Sequence, residues 1–117
     1  MTLSVVVPTY NEVETLEEIL YRVQQVEVEK EIIVVDDGST DGTCDLLRDI
    51  EAADSSYSIC GGERTLNPSP IQVVYHDRNR GKGAALNTGF DEVEGDVAII
   101  QDADDNSALY VVMPLRV

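Results

Sequence analysis

Four short runs of branched apolar residues recur along this chain, and they leave few folds open to it. They are Leu3-Ser4-Val5-Val6-Val7, Glu31-Ile32-Ile33-Val34-Val35, Ile71-Gln72-Val73-Val74-Tyr75 and a fourth over about residues 96–101. Each is almost continuously apolar rather than alternating, the pattern of a strand buried on both faces of a parallel sheet. Helical patterns separate the runs. After the first, Leu16, Ile19, Leu20 and Val23 fall at i, i+3, i+4 and i+7, with Asn11 read as the N-cap and Glu14 completing a capping box. After the second, Gly38-Ser39-Thr40-Asp41-Gly42 is a turn, with Asp41 or Thr40 placed to cap a helix that buries Leu46, Leu47 and Ile50. After the third, Ala84-Ala85-Leu86 opens a small-residue helix continued by Gly89 and Phe90. Pro8 is expected to end the pairing of the first strand. Strands alternating with helices predict an α/β fold, a Rossmann-like parallel sheet flanked by helices, whose ligands sit at the carboxyl ends of the strands.

Carboxylates gather at those ends. The second run closes on Asp36 and Asp37, and the fourth closes on Gln101-Asp102-Ala103-Asp104. Residues i and i+2 of an extended chain share a side, so Asp102 and Asp104 can address one cation together, and Ala103 leaves the approach uncrowded. Hard divalent ions take carboxylate oxygen and often complete their shell with substrate phosphates. In a chain this acidic such a pair also arises as a solvated turn, so the spacing leaves both readings open. Arg78, Arg80 and Lys82 form a basic cluster before the third helix, which suits either a solvated face or a diphosphate contact. His76 reads as structural rather than catalytic.

The remaining features bound what the chain does. At 117 residues it is one domain, with 1–104 as the α/β unit, 54–70 as an inserted surface loop rich in Ser, Gly, Asn and Pro, and 105–117 as an atypical tail. Eight Lys+Arg against 23 Asp+Glu give a net charge of −15, which opposes binding to nucleic acid or to an anionic membrane surface. Cys44 and Cys60 form neither a C-x-x-C pair nor a zinc-type cluster. No basic leader or long apolar span is present, so the expected setting is cytoplasmic. Gly81-Lys82-Gly83-Ala84-Ala85-Leu86 lacks both the dinucleotide fingerprint and the P-loop spacing. A receiver domain would carry its acidic pair after the first strand, whereas here the pair follows the second.

Taken together, Val6-Val7-Pro8-Thr9-Tyr10-Asn11-Glu12, Val34-Val35-Asp36-Asp37-Gly38-Ser39-Thr40-Asp41-Gly42-Thr43, Asn79-Arg80-Gly81-Lys82-Gly83 and Gln101-Asp102-Ala103-Asp104 resemble the family 2 glycosyltransferases of GT-A fold. Among these the sequence is most similar to the branch that makes polyprenyl (dolichyl) phosphate mannose and glucose. The resemblance implies a nucleotide-sugar site. In it Pro8, Tyr10, Glu12 and Asp37 hold the base and ribose, Lys82 meets the donor, and Asp102 lies near the ribose and diphosphate. Asp102 and Asp104 carry the catalytic role through Mg²⁺ or Mn²⁺, Asp104 as the principal ligand. The donor is GDP- or UDP-linked, and the acceptor is a polyprenyl phosphate at a membrane surface, with inversion at the sugar carbon. Asp41, Pro8 and Gly38 also have plain structural readings, as a cap and as turn formers.

After Asp104 the sequence departs from the branch, which continues with an apolar residue, Glu or Gln, an aromatic and Asp-Pro. Asn106 stands where the family has a metal-coordinating Glu or Gln, and its amide oxygen is a weaker substitute. The expected object is therefore a truncated donor-binding half whose residues 109–112 have lost their packing partner, with exposed apolar surface favouring self-association. A noncatalytic nucleotide-sugar-binding remnant is the alternative to an active transferase.

Overall fold

All four expected strands form, and all four lie parallel in one sheet. The computed structural model describes residues 2–53, 56–59, 62, 64–68, 71–101, 103 and 109–111. The strands are β1 (Leu3–Thr9), β2 (Lys30–Asp36), β5 (Ile71–Tyr75) and β6 (Val97–Gln101), separated by α1 (Leu16–Gln25), α2 (Thr43–Ala52) and α3 (Lys82–Asp91). Two short strands, β3 (Tyr57–Ile59) and β4 (Arg64–Leu66), pair as a separate antiparallel ribbon, and β7 (Leu109–Val111) runs antiparallel to β6. The main sheet has the order β5-β2-β1-β6-β7. The chain builds outward from β1 through β2 to β5 and then returns to β6, so its direction of growth reverses between β1 and β6. In an open α/β sheet that reversal opens a crevice at the carboxyl edge.

The apolar runs do not alternate because both faces of the sheet are covered. Val5, Val7, Ile32 and Val34 pack with Leu16 and Leu20 of α1 and with Leu47 and Ile50 of α2. Ile33 and Val35 face the other way, onto Ala85 of α3. There α3 comes close: a Cβ on Gly89 would stand 2.4 Å from Val6 Cγ1, so only a glycine admits the helix at this depth.

Three local expectations are corrected. Pro8 does not end β1, because the register continues to Thr9↔Asp36 on the β2 side and stops only on the β6 side, at Val6↔Ile100. The bonds Leu3 N–H to Glu29 O and Asp37 N–H to Thr9 O show that odd residues of β1 bond towards β2. The missing N–H of Pro8 therefore falls on the β6 side alone. Asn11 does not cap α1, which starts at Leu16 behind Thr15 without a side-chain cap. The Asn11 amide is spent elsewhere, as described below. Residues 54–70 are not simply a loop: Ile59 and Leu66 are 2% and 1% exposed and belong to the main core. The ribbon is tied to α1, since Gln24 exchanges two hydrogen bonds with the Asn67 backbone and Arg64 pairs with Glu18 at 2.6 Å.

At the far end, the backbone of β7 finds a partner in β6, although residues 109–112 were expected to lack one; residue 112 lies outside the described residues. No helix among the described residues is long and apolar enough to cross a membrane.

Candidate functional site

The loops after β1 and β2 are stitched together before they reach the crevice. Asn11 adopts a left-handed conformation at φ 53°, which its short polar side chain tolerates. Its Oδ1 accepts the Thr40 N–H at 2.7 Å, and its own N–H donates to Ser39 Oγ at 2.9 Å. Ser39 in turn donates to Asp36 Oδ1 at 2.5 Å. One residue on, the Glu12 N–H donates to Thr43 Oγ1 at 3.1 Å and the Val13 N–H to Asp41 Oδ2 at 3.3 Å. Neither Asp41 nor Thr40 is the cap of α2, which is Gly42 at φ 104° without a side-chain cap bond; Asp41, one residue before it, accepts the Thr43 N–H at 3.0 Å and the Thr43 hydroxyl. Burial raises the Asp41 carboxyl, but these donors outweigh it and leave its pKa lowered.

Asp37 is the centre of a second set. Its side chain is 4% exposed. Oδ1 accepts from His76 Nδ1 at 2.7 Å and from the Arg80 N–H at 2.9 Å, while Oδ2 accepts from the Gly81 N–H at 2.9 Å. Desolvation raises this carboxyl, but the imidazole and the two backbone donors reverse the effect and hold it below the usual carboxylate range. His76 Nε2 reaches Thr88 Oγ1 on α3 at 2.8 Å. Gly38 permits the same assembly from below. It sits at φ +74°, and a Cβ there would stand 2.4 Å from the Arg78 carbonyl carbon and 2.5 Å from the Asn79 nitrogen. Gly38 is thus a turn former and also the seat of the 78–81 loop.

These loops enclose a cavity of about 290 Å³ lined by Pro8, Thr9, Tyr10, Glu12, Asp37, Asn79, Gly81, Lys82, Ala85 and Ala103. Tyr10 is 43% exposed and presents a ring at its rim. The first turn of α3 forms one wall, bringing the positive end of a helix and the Lys82 side chain to the same place. Ala103 forms part of another wall. It is 1% exposed, and its carbonyl accepts from Thr15 Oγ1 at 2.7 Å.

Five of the residues singled out in the sequence, Pro8, Tyr10, Glu12, Asp37 and Lys82, come together in this lining. Asp102, Asp104 and Asn106 lie outside the described residues. Of the basic cluster, Lys82 lines the cavity, whereas Arg80 contributes its backbone N–H to Asp37. Thr9, Asn79, Gly81 and Ala103 stand in the quoted motifs without an assigned binding role, and Ala85 was named only as part of the small-residue helix. Thr88 carried no signal at all, because one threonine in a helix looks like any other until His76 is seen against it. Among the described residues no group of three or more His, Cys, Asp or Glu side chains is arranged to hold a metal ion.

Comparison with known proteins agrees with this architecture. The family model "Glycosyl transferase family 2" matches residues 4–110. An undecaprenyl-phosphate 4-deoxy-4-formamido-L-arabinose transferase of Pseudomonas fluorescens is 41% identical over 105 residues, which cover 86% of this chain and 27% of the relative. A dolichol-phosphate mannosyltransferase of Pyrococcus furiosus is 35% identical over 106 residues, covering 89% of this chain and 26% of that protein. Among solved structures, a mannosyltransferase from Pyrobaculum calidifontis in complex with GDP-Man and Mn²⁺ superposes with a TM-score of 0.67 at 34% identity, over 87% of this chain and 27% of that one. S. aureus TarS in complex with UDP superposes with a TM-score of 0.69 at 27% identity, over 89% and 28%. The chain thus spans about a quarter of the length of the relatives it matches.

Proposed function

The chain belongs to glycosyl transferase family 2, and from that premise we propose that it forms the donor-binding part of a glycosyltransferase. The nucleoside diphosphate of a GDP- or UDP-linked sugar occupies the cavity at the carboxyl edge, and the sugar passes with inversion to a polyprenyl phosphate. The observation that carries this reading is the convergence of the β1 loop, Asp37 and the first turn of α3 on one cavity at the reversal point of the sheet. Its chemistry suits such a ligand. Tyr10 offers a ring face, Glu12 and Asp37 offer acceptors for base N–H and ribose hydroxyl groups, and the α3 terminus with Lys82 offers positive charge to phosphate. Nucleotide complexes of two proteins of the same fold support this assignment.

A divalent cation fits the reading. Ala103 lines the cavity, and its two chain neighbours are Asp102 and Asp104, a hard-oxygen pair suited to Mg²⁺ or Mn²⁺. We assign Asp102 and Asp104, assisted by Asn106, as the residues that hold it. Bound there, the metal supplies positive charge against the departing diphosphate. The chain's own residues orient the donor and keep its diphosphate against the α3 terminus. A phosphate acceptor has a second pKa near 6 and is largely ionised at neutral pH, so the site needs no strong general base.

Titration calorimetry tests the assignment. Wild type is expected to bind UDP or GDP more tightly with Mn²⁺ than without. Asp37→Ala weakens binding under both conditions, whereas Asp104→Ala abolishes the difference that Mn²⁺ makes. A folded sample that binds neither nucleotide refutes the reading.

A further inference from the structure

Asp37 and α3 approach the cavity from different strands, and one side chain joins them. The His76 imidazole is 5% exposed and reaches from Asp37 Oδ1, 2.7 Å from Nδ1, to Thr88 Oγ1, 2.8 Å from Nε2. Its root is also held, because the His76 N–H donates to the Asp36 carbonyl at 2.8 Å. An ionised carboxylate only accepts, so Nδ1 carries the proton that faces Asp37. Nε2 then accepts from the Thr88 hydroxyl if the ring is neutral and donates to it if the ring is charged. In both states the ring cannot turn without breaking two shielded hydrogen bonds.

Asp37, Gly81, Lys82 and Ala85 all line the cavity, yet His76 itself does not. Each of the four is tied to the ring. Asp37 is bonded to it directly, Gly81 follows through Asp37 Oδ2, and Lys82 and Ala85 lie on the helix whose Thr88 takes the far nitrogen. Without the imidazole, Oδ1 keeps only the Arg80 N–H, and α3 keeps the bond from its Gly81 cap to Asp37 Oδ2 but loses the tie made through Thr88. We propose that His76 is a positioning residue for nucleotide binding: clamped between Asp37 and Thr88, it fixes the Asp37 carboxylate and the first turn of α3 in one geometry against the nucleoside diphosphate. This rests on the donor-site reading above. A direct catalytic part for the ring is ruled out by its position, since both nitrogens are engaged behind the cavity wall.

The two amide substitutions separate positioning from mere structural support. Asn places its N–H near the Nδ1 position, and Gln places its N–H near Nε2. His76→Asn therefore keeps the Asp37 link, and His76→Gln keeps only the Thr88 link. Affinities for UDP and GDP with Mn²⁺ are measured by calorimetry for wild type, His76→Asn, His76→Gln, His76→Ala and Asp37→Ala, with thermal melts as a check on folding. His76→Ala is expected to lose about tenfold in affinity, the scale of one charge-assisted hydrogen bond, and His76→Asn and His76→Gln, each keeping one end of the clamp, to lose a measurable part of it. If His76→Ala does not fold, the Asn and Gln variants decide the matter. Lowered melting temperatures with wild-type affinity in both His76→Asn and His76→Gln overturn the proposal. Wild type that binds neither nucleotide brings down the donor-site reading and this inference together. Loss in Asp37→Ala alone, with full affinity in every folded His76 variant, removes this inference and leaves that reading intact.

Discussion

At the residue scale, Asp37 links stability to pH. Its carboxyl group is shielded, its two oxygens take three hydrogen bonds, and its folded pKa is held below the ordinary carboxylate value. A depressed folded pKa means that the contribution is fully present above the unfolded value of about 3.9 and is lost as pH falls through the folded one. Asp37→Asn is expected to destabilise the chain by about 2 kcal/mol at pH 7, because an amide presents one acceptor oxygen in place of two and turns N–H against the Arg80 or Gly81 donor. The gap between wild type and Asp37→Asn should then narrow below about pH 4, as the wild-type carboxyl protonates. Parallel melts from pH 7 to pH 3 check this, and a gap independent of pH would contradict it. Gly38 makes a harder demand, because its φ of +74° and the Arg78–Asn79 backbone beneath it both exclude a side chain. Gly38→Ala is expected to cost roughly 2–3 kcal/mol. Nucleotide affinity should fall with it, since Asn79 lines the cavity; full affinity in a destabilised Gly38→Ala would show that the 78–81 loop is not held by this contact.

At the scale of elements, the ribbon of β3 and β4 offers the clearest test. Leu66 is 1% exposed in the core beside α1, so Leu66→Ala is expected to cost about 2–5 kcal/mol by denaturant unfolding. A loop merely tolerated on the surface would lose no more than about 0.5 kcal/mol. The ribbon also marks where sequence reading runs out. Val5-Val6-Val7 and Ile32-Ile33-Val34-Val35 were legible as strands because burial on both faces demands unbroken branched apolar residues. Tyr57–Ile59 and Arg64–Leu66 are three residues each, too short to display a period, and lie among Ser, Gly, Asn and Pro. What holds them is long-range: Gln24 on the Asn67 backbone and Arg64 on Glu18. The same cause explains Asn11. Its spacing from Glu14 fits a capping box, but the Thr40 N–H, distant in sequence, takes the amide oxygen. At the candidate site, the motifs identified which loops converge, because Pro8, Tyr10, Glu12, Asp37 and Lys82 sit at strand ends and a helix start. The tie from Asp37 through His76 to Thr88 was not legible, since no spacing rule connects a strand end to the second turn of a later helix.

At the scale of the whole molecule, the question is how much of a transfer reaction this fold can perform. The sheet reverses between β1 and β6, and the cavity there, lined by Pro8, Thr9, Ala85 and Ala103 among others, is where the proposed reading seats the donor. Catalysis by orientation draws on holding both reactants, and well-aligned pairs gain about 7–11 kcal/mol from it. The relatives are about four times as long as the region they share with this chain, since it spans 27% of one and 26% of another. Contacts to the acceptor that depend on the unshared length are missing from the 117 residues taken alone. Nucleotide affinity and transfer should therefore separate. Incubation of these residues with Mn²⁺, polyprenyl phosphate and radiolabelled GDP-mannose or UDP-glucose is expected to give nucleotide-competable retention of the donor and little lipid-linked label. Asp104→Ala serves as the control, because label that survives that substitution does not come from the proposed metal site. Lipid-linked product from wild type, absent from Asp104→Ala, would show that the donor-binding part also aligns an acceptor, and that the alignment needs far less of the fold than the length of the relatives suggests.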